Sequence, residues 1–244
     1  MATSPQTPRR GKLNRDRVLR AAVTLADETG LESFSMRGLG EKLGVVPMAL
    51  YKHVANKEDL LDGMVDVVFG EIEDPSTDLD WKASMRRRAI SVREALKRHP
   101  WAIGLLESRV NPGAANLRHH NAVMGCLREA GFSFELAVHA YSVQDSYIYG
   151  FALQENRLPF DTPGEHGELV QRKAEAVGDL SQYPHLIEVA ANVAQSGYDY
   201  ALEFEWGLDL ILEALELTRG EPGVLDVGPR PRGRRRHSPG DSRR

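Results

Sequence analysis

The chain has 244 residues, of which 41% are hydrophobic, and this is enough to bury one large core or two smaller ones. Its net charge of −4 is unevenly distributed, because residues 9–20 hold six basic side chains and one acidic one, whereas residues 61–220 hold 14 basic and 25 acidic ones. The single cysteine, Cys126, excludes an internal disulfide and is typical of a reducing cytoplasm. The sequence contains neither a leader pattern nor a membrane-spanning run, so we expect a protein that is not exported and has no membrane partner.

The chain begins with a basic arm. Residues 1–12 are rich in Pro, Thr and Arg, which predicts disorder. A first helix is expected over residues 18–29, ending at Gly30, with Val18, Ala22 and Leu25 on its buried face. A basic end on an acidic body is typical of a modular DNA-binding protein, although a solvated arm would have the same charge.

Residues 35–57 predict two short helices joined by a turn. Gly44 ends the first helix, and Pro47 begins the second, where the missing N–H of proline would have had no partner. The side of the second helix opposite its buried leucine carries aromatic, cationic and imidazole groups, namely Tyr51, Lys52 and His53. A short helix of this kind can enter the major groove of DNA, so the pattern predicts a helix-turn-helix.

The glycines in this region do not form a dinucleotide-binding motif. Gly38, Gly40 and Gly44 are spaced one residue too far apart for that motif, and no strand precedes them. The small side chain of Gly40 instead predicts a close approach of the two helices at their crossing.

A fourth helix is expected from the N-cap Asn56 to residue 72. The Asp74-Pro75-Ser76 sequence breaks it, so we expect a DNA-binding domain over residues 13–73 and an effector-binding and dimerisation domain over 74–219. Residues 156–181 predict a mobile connection with a helical turn near 168–176, and residues 220–244 a disordered basic tail. The predicted helices of the larger domain cover residues 81–98, 101–107, 113–130, 134–155, 185–195 and 198–218.

These motifs resemble those of the tetracycline-repressor (TetR) family of bacterial transcription factors. The strongest likeness covers about residues 13–70, and a weaker one continues to about residue 217. The matching segments are residues 18–30, Phe34-Ser35-Met36-Arg37, Leu43-Gly44-Val45, Leu50-Tyr51-Lys52-His53-Val54, Asn56-Lys57, Leu60-Leu61, Gly131-Phe132-Ser133 and Phe204-Glu205-Trp206-Gly207-Leu208-Asp209-Leu210-Ile211-Leu212.

The resemblance implies an all-α protein with an N-terminal three-helix head and a helical-bundle domain that binds a ligand and dimerises. Its implied function is that of a sequence-specific repressor that releases a palindromic operator, in double-stranded DNA, when a small effector binds. It places eight residues at the DNA surface: Arg37, Pro47, Met48, Ala49, Tyr51, Lys52, His53 and Lys57.

The effector site is expected in the core of the larger domain, because an apolar helix there is interrupted by polar residues. Apolar spacing and the family likeness together predict twelve lining residues: Met85, Arg88, Val92, Leu105, Leu106, Val123, Met124, Leu127, Tyr141, Gln144, Asp145 and Ile148. Tetracycline-binding members use a histidine as a metal ligand where this chain has Leu106, and polar drug contacts where it has Arg88 and Val123. Tetracycline specificity is therefore not expected.

No catalytic motif or metal-ligand spacing is present, so we expect neither an enzyme nor a cofactor. Adjacent His119 and His120 point about 100° apart on a helix and are unsuited to share one ion. On the last helix, Leu208, Ile211, Leu212 and Leu215 form an apolar stripe. Together with the helix over residues 134–155, this stripe predicts a four-helix homodimer interface across a two-fold axis.

Two alternatives to the repressor remain at the level of sequence. One is an all-α ligand-binding or metabolic protein whose basic head is incidental, and the other is a nonspecific nucleoid-type DNA binder. For the repressor, we expect a cytoplasmic location with nucleoid association when it is bound to DNA.

Overall fold

The computed structural model describes residues 12–76, 78–106, 108–158, 163–177, 180–196 and 199–219. Within these residues the secondary structure is helical throughout, with ten α-helices and a 3-10 helix at Pro100–Ala102. The α-helices are α1 Arg15–Thr29, α2 Met36–Leu43, α3 Pro47–Leu50, α4 Lys57–Phe69, α5 Trp81–Arg98, α6 Ala114–Glu129, α7 Phe134–Glu155, α8 Pro163–Val177, α9 Pro184–Ser196 and α10 Tyr200–Arg219.

Local hydrogen bonds determine where the helices of the head begin and end. Asn14, Ser35 and Asn56 each accept a hydrogen bond from the backbone N–H three residues later, at the starts of α1, α2 and α4. Gly44 ends α2 in the left-handed conformation with φ 68°, which glycine adopts without a steric penalty. The sequence prediction of the Asn56 cap and of the Gly44 end is confirmed.

The molecule has two hydrophobic cores, and α4 belongs to both. Its first turns place Leu60 and Met64 in a core shared with α1, α2 and α3. Its last turns place Val68 and Phe69 in the core of the larger domain, residues 74–219, which is called the body below. Helices α5, α6, α7 and α10 surround this core. A displacement of α4 in either core therefore has to be accommodated in the other.

The predicted body helices agree with the structure in α5 and α7, including the Ser133 cap of α7. Three expectations are wrong. The fourth helix ends at Phe69 rather than at residue 72. Residues 70–72 form turns, with hydrogen bonds from Glu71 to Val68 and from Ile72 to Phe69. In place of the expected helix over residues 101–107, the described residues 100–106 form a 3-10 helix at Pro100–Ala102 followed by turns.

The third error concerns the predicted mobile connection at 156–181. The structure has the 15-residue helix α8 there, and α8 packs on α9. Packing against another helix supplies much of a helix's stability. The sequence of residues 156–181 does not show that α9 will pack on this segment, so the helix was not predicted. The predicted disorder of 1–11 and 220–244 lies outside the described residues.

The apolar stripe predicted for dimerisation is also partly wrong. Leu208 and Leu212 are buried in the chain's own core. The outward face of α10 instead exposes Leu202, Trp206 and Leu210. No described helix is long and apolar enough to cross a membrane.

Candidate DNA-binding and effector-binding sites

The second helix of the predicted helix-turn-helix is the four-residue α3, which is shorter than expected, and Tyr51, Lys52 and His53 lie in the turn that follows it. Leu50 is 0% exposed and Val54 is 2% exposed, so both anchor the segment in the head core. The opposite side faces outward, with Met48 73% exposed and Tyr51 44% exposed. This geometry presents one face of α3 and the following turn to an external partner.

Of the eight residues predicted to contact DNA, six lie on α3 or in the turn after it, Arg37 lies in α2 and Lys57 begins α4. Six are exposed and two, Ala49 and His53, are partly buried. The exposed members are Arg37, Pro47, Met48, Tyr51, Lys52 and Lys57. Six of the eight thus share one short segment of the chain, residues 47–53.

Close packing holds α2 against the turn that leads to α3. A Cβ atom added at Gly40 would lie 2.8 Å from the carbonyl oxygen of Val45, closer than such atoms approach. The expectation that Gly40 permits a close crossing is therefore confirmed.

A residue that sequence reasoning missed fixes the far end of this segment. Arg15 in α1 donates from Nη1 to the carbonyl oxygen of His53 at 2.9 Å and from Nη2 to Oδ1 of Asp59 at 2.6 Å. Asp59 also accepts from the backbone N–H of Ala55, and its pKa is lowered by the Arg15 bond and then by the Ala55 bond. The basic cluster of residues 9–20 was the available signal, but charge alone does not identify a structural arginine.

The twelve predicted effector-site residues converge in the body core between α5, α6 and α7. Nine are buried and three, Leu105, Met124 and Tyr141, are partly buried and lie against that core or its polar side chains. The buried members are Met85, Arg88, Val92, Leu106, Val123, Leu127, Gln144, Asp145 and Ile148. The structure therefore places all twelve inside or against the core of the larger domain, without a described cavity that they line.

A buried ion pair lies at the centre of this region. Nη1 of Arg88 is 2.6 Å from Oδ1 of Asp145, and the Arg88 side chain is 1% exposed. Burial opposes the charged form of Arg88, but the Asp145 carboxylate outweighs burial and keeps the arginine pKa above its usual value.

Sequence analysis did not connect His119 with this pair. Nε of Arg88 donates to Nε2 of His119 at 3.1 Å, so the ring proton is on Nδ1, which lies 3.2 Å from Oδ1 of Asp74. Burial first, and the Arg88 charge second, lower the His119 pKa to about 4. A neutral histidine therefore links the buried ion pair to the segment that follows α4.

A second histidine contact reaches the aromatic wall of the region. Nδ1 of His120 lies 2.9 Å from the carbonyl oxygen of Asn116, which can only accept, so Nε2 accepts from the Tyr141 hydroxyl at 2.6 Å. Both histidines are thus engaged in the packing, and within the described residues no three His, Cys, Asp or Glu side chains gather to hold a metal ion.

Two surface depressions lie elsewhere, and neither is lined by the twelve predicted residues. One, of about 730 Å³, separates α1 and α4 from the loop at residues 111–113 and is bordered by several carboxylates that include Asp62 and Asp66. The other, of about 470 Å³, runs between α7 and α10 and is largely apolar, with Leu136, Val143 and Ile211 among its lining residues.

Comparison with known proteins covers both parts of the chain. Residues 18–64 match the family described as "Bacterial regulatory proteins, tetR family", and residues 74–219 match "Tetracyclin repressor-like, C-terminal domain". The chain is 31% identical over 221 residues to the HTH-type transcriptional repressor DrrR1 of Streptomyces coeruleorubidus, covering 86% of this chain and 81% of that protein.

Two further relatives extend this comparison. The chain is 33% identical over 211 residues to the class A tetracycline repressor protein from transposon 1721 of Escherichia coli, covering 85% of this chain and 93% of that protein. Among solved structures, the Streptomyces coelicolor TetR family protein ActR in complex with actinorhodin is 26% identical with a TM-score of 0.73, covering 86% of this chain and 99% of that one.

Proposed function

Because this chain belongs to the tetracycline-repressor (TetR) family of bacterial transcription regulators, we propose that it is a homodimeric repressor whose two heads hold a palindromic operator until an effector enters the body. It is a regulator rather than an enzyme, and it acts in the cytoplasm on nucleoid DNA. The observation that carries the proposal is that one chain joins an outward-facing recognition segment to a buried polar site through the shared helix α4.

The DNA contacts divide into two groups. Tyr51, His53 and Lys57 bind phosphates, whereas residues 47–49 and Lys52 face base edges, and Arg37 adds positive charge at the rim. Phosphate contacts position a recognition helix and base contacts specify the sequence. The high exposure of Met48 supports an apolar contact such as one to a thymine methyl group.

Dimerisation uses the outward faces of α7 and α10. Phe134 and Val138 on α7, with Trp206 and Leu210 on α10, form exposed apolar patches beside the 470 Å³ groove. A second copy that packs there by two-fold symmetry would bury them. The same symmetry places two recognition helices about 34–36 Å apart, or a multiple of that distance, on one face of the duplex.

Effector binding reaches the head through α4. A ligand that enters between α5, α6 and α7 changes the packing against Val68 and Phe69, and so tilts the helix that also carries Leu60 in the head core. The tilt changes the spacing of the two heads. A ligand lowers operator affinity only by its preference for the state that does not bind DNA, typically worth about 1–3 kcal/mol.

The DNA part of the proposal is tested by fluorescence anisotropy with DNA from upstream of the protein's own gene. Tyr51→Ala should weaken binding to all sequences, and substitutions of Ala49 should change which operator is preferred. Lys57→Ala should reduce the slope of log affinity against log salt by about one.

The matched control is Lys42→Ala, because Lys42 is paired with Glu28 at 2.6 Å and is not one of the eight predicted DNA contacts. This control should bind the operator as the wild type does. Wild-type affinity in Tyr51→Ala would show that the recognition helix is wrongly assigned, and a monomer in light scattering at micromolar concentration would refute the dimer.

A further inference from the structure

One arginine ties the end of the recognition segment, residues 47–54, to α1. Arg15 is the first residue of α1, and its Nη1 atom donates to the carbonyl oxygen of His53 at 2.9 Å and to Oδ2 of Asp59 at 3.0 Å. Its Nη2 atom donates to Oδ1 of Asp59 at 2.6 Å. A guanidinium that meets both oxygens of a carboxylate fixes direction as well as distance. This arrangement of Arg15, Asp59 and the His53 carbonyl is called the α1–α4 clasp below.

Two backbone groups in the turn after α3 bond to the clasp. The N–H groups of His53 and Val54 donate back into α3. The His53 carbonyl oxygen and the Ala55 N–H bond to side chains instead, the first to Arg15 and the second to Asp59 at 2.7 Å. The clasp therefore holds the backbone on both sides of Val54.

The recognition segment needs such directed bonds because α3 itself is short. It has four residues, and no side chain caps its first turn. A single helical turn is marginal by itself. Leu50 and Val54 anchor one side of the segment in the head core, but hydrophobic burial is non-directional. The bonds of the clasp thus supply the orientation at the C-terminal end of the segment.

The charges of the clasp cancel each other beside the predicted DNA surface. The side chains of Arg15 and Asp59 are 46% and 32% exposed, and the arginine already donates three hydrogen bonds to the protein. Ion pairs this exposed contribute little to stability. A pair of this kind can orient a neighbouring segment without neutralising a phosphate.

We propose that the α1–α4 clasp positions the turn that carries Tyr51 and His53 for operator binding and contacts no phosphate itself. Arg15 and Asp59 are positioning residues in this sense. The inference rests on the proposed function, because it concerns how the recognition segment is held on the operator.

Asp59 gives the proposal a test by sign. DNA phosphates repel a nearby carboxylate, so on charge alone the removal of the Asp59 charge would tighten operator binding. If the clasp orients the turn, the same change weakens binding, because Arg15 and the Ala55 N–H lose their partner.

The experiment measures the affinity of the full-length dimer by fluorescence anisotropy, with an upstream DNA fragment that the wild type binds. Arg15→Met and Asp59→Asn should each weaken binding about tenfold. The double variant should lose about as much as either single variant, since either change already opens the clasp. In Arg15→Met the slope of log affinity against log salt should stay unchanged, whereas loss of a direct phosphate contact would lower it by about one.

Arg20→Met and Asp16→Asn are the matched controls, because these two residues form an exposed pair on α1 at 3.0 Å. They remove the same charges from the same helix or its surroundings and should leave operator affinity nearly unchanged. Melting temperatures of all variants should lie within about 4 °C of the wild type, since exposed pairs contribute little to stability. Binding is measured at a temperature at which circular dichroism shows every variant to be folded.

The inference is overturned if Asp59→Asn binds the operator as tightly as the wild type or more tightly, or if the losses add in the double variant. It is also overturned if Arg15→Met lowers the salt slope, or if the control variants weaken binding equally. A wild type that binds no upstream fragment would refute the repressor assignment itself, whereas intact wild-type binding with unaffected clasp variants would refute the clasp alone.

Discussion

At the scale of single residues, short-range geometry makes two positions unusually sensitive. Gly40 lies where α2 meets the turn before α3, and His119 lies between a buried arginine and Asp74. At Gly40 an added Cβ atom would clash with the backbone. At His119 burial and the charge of Arg88 disfavour protonation of the ring. Both effects act on stability, and the first also acts on the geometry of the recognition helix.

Gly40→Ala should destabilise the protein by about 1–3 kcal/mol, because the new Cβ would lie 2.8 Å from the backbone oxygen of Val45 and the turn would have to move. Gly125→Ala is the matched control in α6, where the added Cβ meets nothing within 4 Å. It should leave stability unchanged or raise it by about 0.5–1 kcal/mol. Urea unfolding of both variants measures the difference, and equal stabilities would contradict the close crossing.

Stability should fall as the pH is lowered from about 6.5 toward 4 because of His119. Its folded-state pKa of about 4 is below the ordinary value of 6.5, so over this window the unfolded chain binds more protons than the folded one. The contribution to the slope is at most about 1.4 kcal/mol per pH unit.

His119→Gln retains an acceptor for Arg88 Nε and does not titrate. Urea unfolding at several pH values should therefore give a shallower pH dependence for the variant than for the wild type. Parallel profiles would mean that His119 does not stay neutral in the folded protein.

At the scale of elements, a buried ion pair joins α5 to α7. Arg93 donates from Nε and Nη2 to the two carboxylate oxygens of Glu155 at 2.8 and 2.5 Å, and both side chains are at most 10% exposed. The guanidinium also lies over the ring of Phe204 in α10, at 5.2 Å from the centroid. One arginine thus holds three helices of the body in register.

Arg93→Met should destabilise the protein by about 3 kcal/mol, because it leaves Glu155 buried with only the more distant Lys97, at 3.7 Å. The double variant Arg93→Met with Glu155→Met should recover most of that loss, since neither charge then remains unpaired. Arg87→Met on the same helix breaks an exposed pair and should change stability by less than about 1 kcal/mol. Equal losses in all three variants, measured in urea, would show that burial does not govern this pair.

At the scale of the whole molecule, His99 joins the DNA-binding head to the body. Its Nδ1 lies 2.8 Å from Oδ1 of Asp27 in α1, and its Nε2 lies 3.1 Å from Oε2 of Glu71 beyond α4. Carboxylates only accept, so the imidazole bonds to both only when both ring nitrogens carry protons. Trp101 adds a bond from Nε1 to the same Asp27 oxygen at 2.7 Å.

His99→Leu should accelerate hydrogen exchange in α1 far more than in α7, because Asp27 and Glu71 lose the group that holds them together. The expected loss of global stability is about 1–3 kcal/mol. Arg98→Met removes a more exposed bond to Glu71 and should leave the exchange of α1 unchanged. Uniform acceleration across the chain would indicate general destabilisation rather than a loosened head.

Short-range chemistry in the sequence was enough to predict most of the helices and the outward face of the head. Caps such as Asn56 and Ser133, the end of α2 at Gly44 and the start of α3 at Pro47 depend on groups at most four residues away. The DNA-contacting and effector-contacting roles remain predictions.

Only the tertiary structure decided which of two apolar stripes on α10 is buried within the chain, that α8 forms a helix against α9, and that His119 completes the environment of Arg88. Each outcome depends on contacts between different helices, which form only when the chain folds. A helical repeat identifies the residues that share a face, but the free energy of burial depends on what lies against that face. The sequence of one helix does not show which other helix will pack against it.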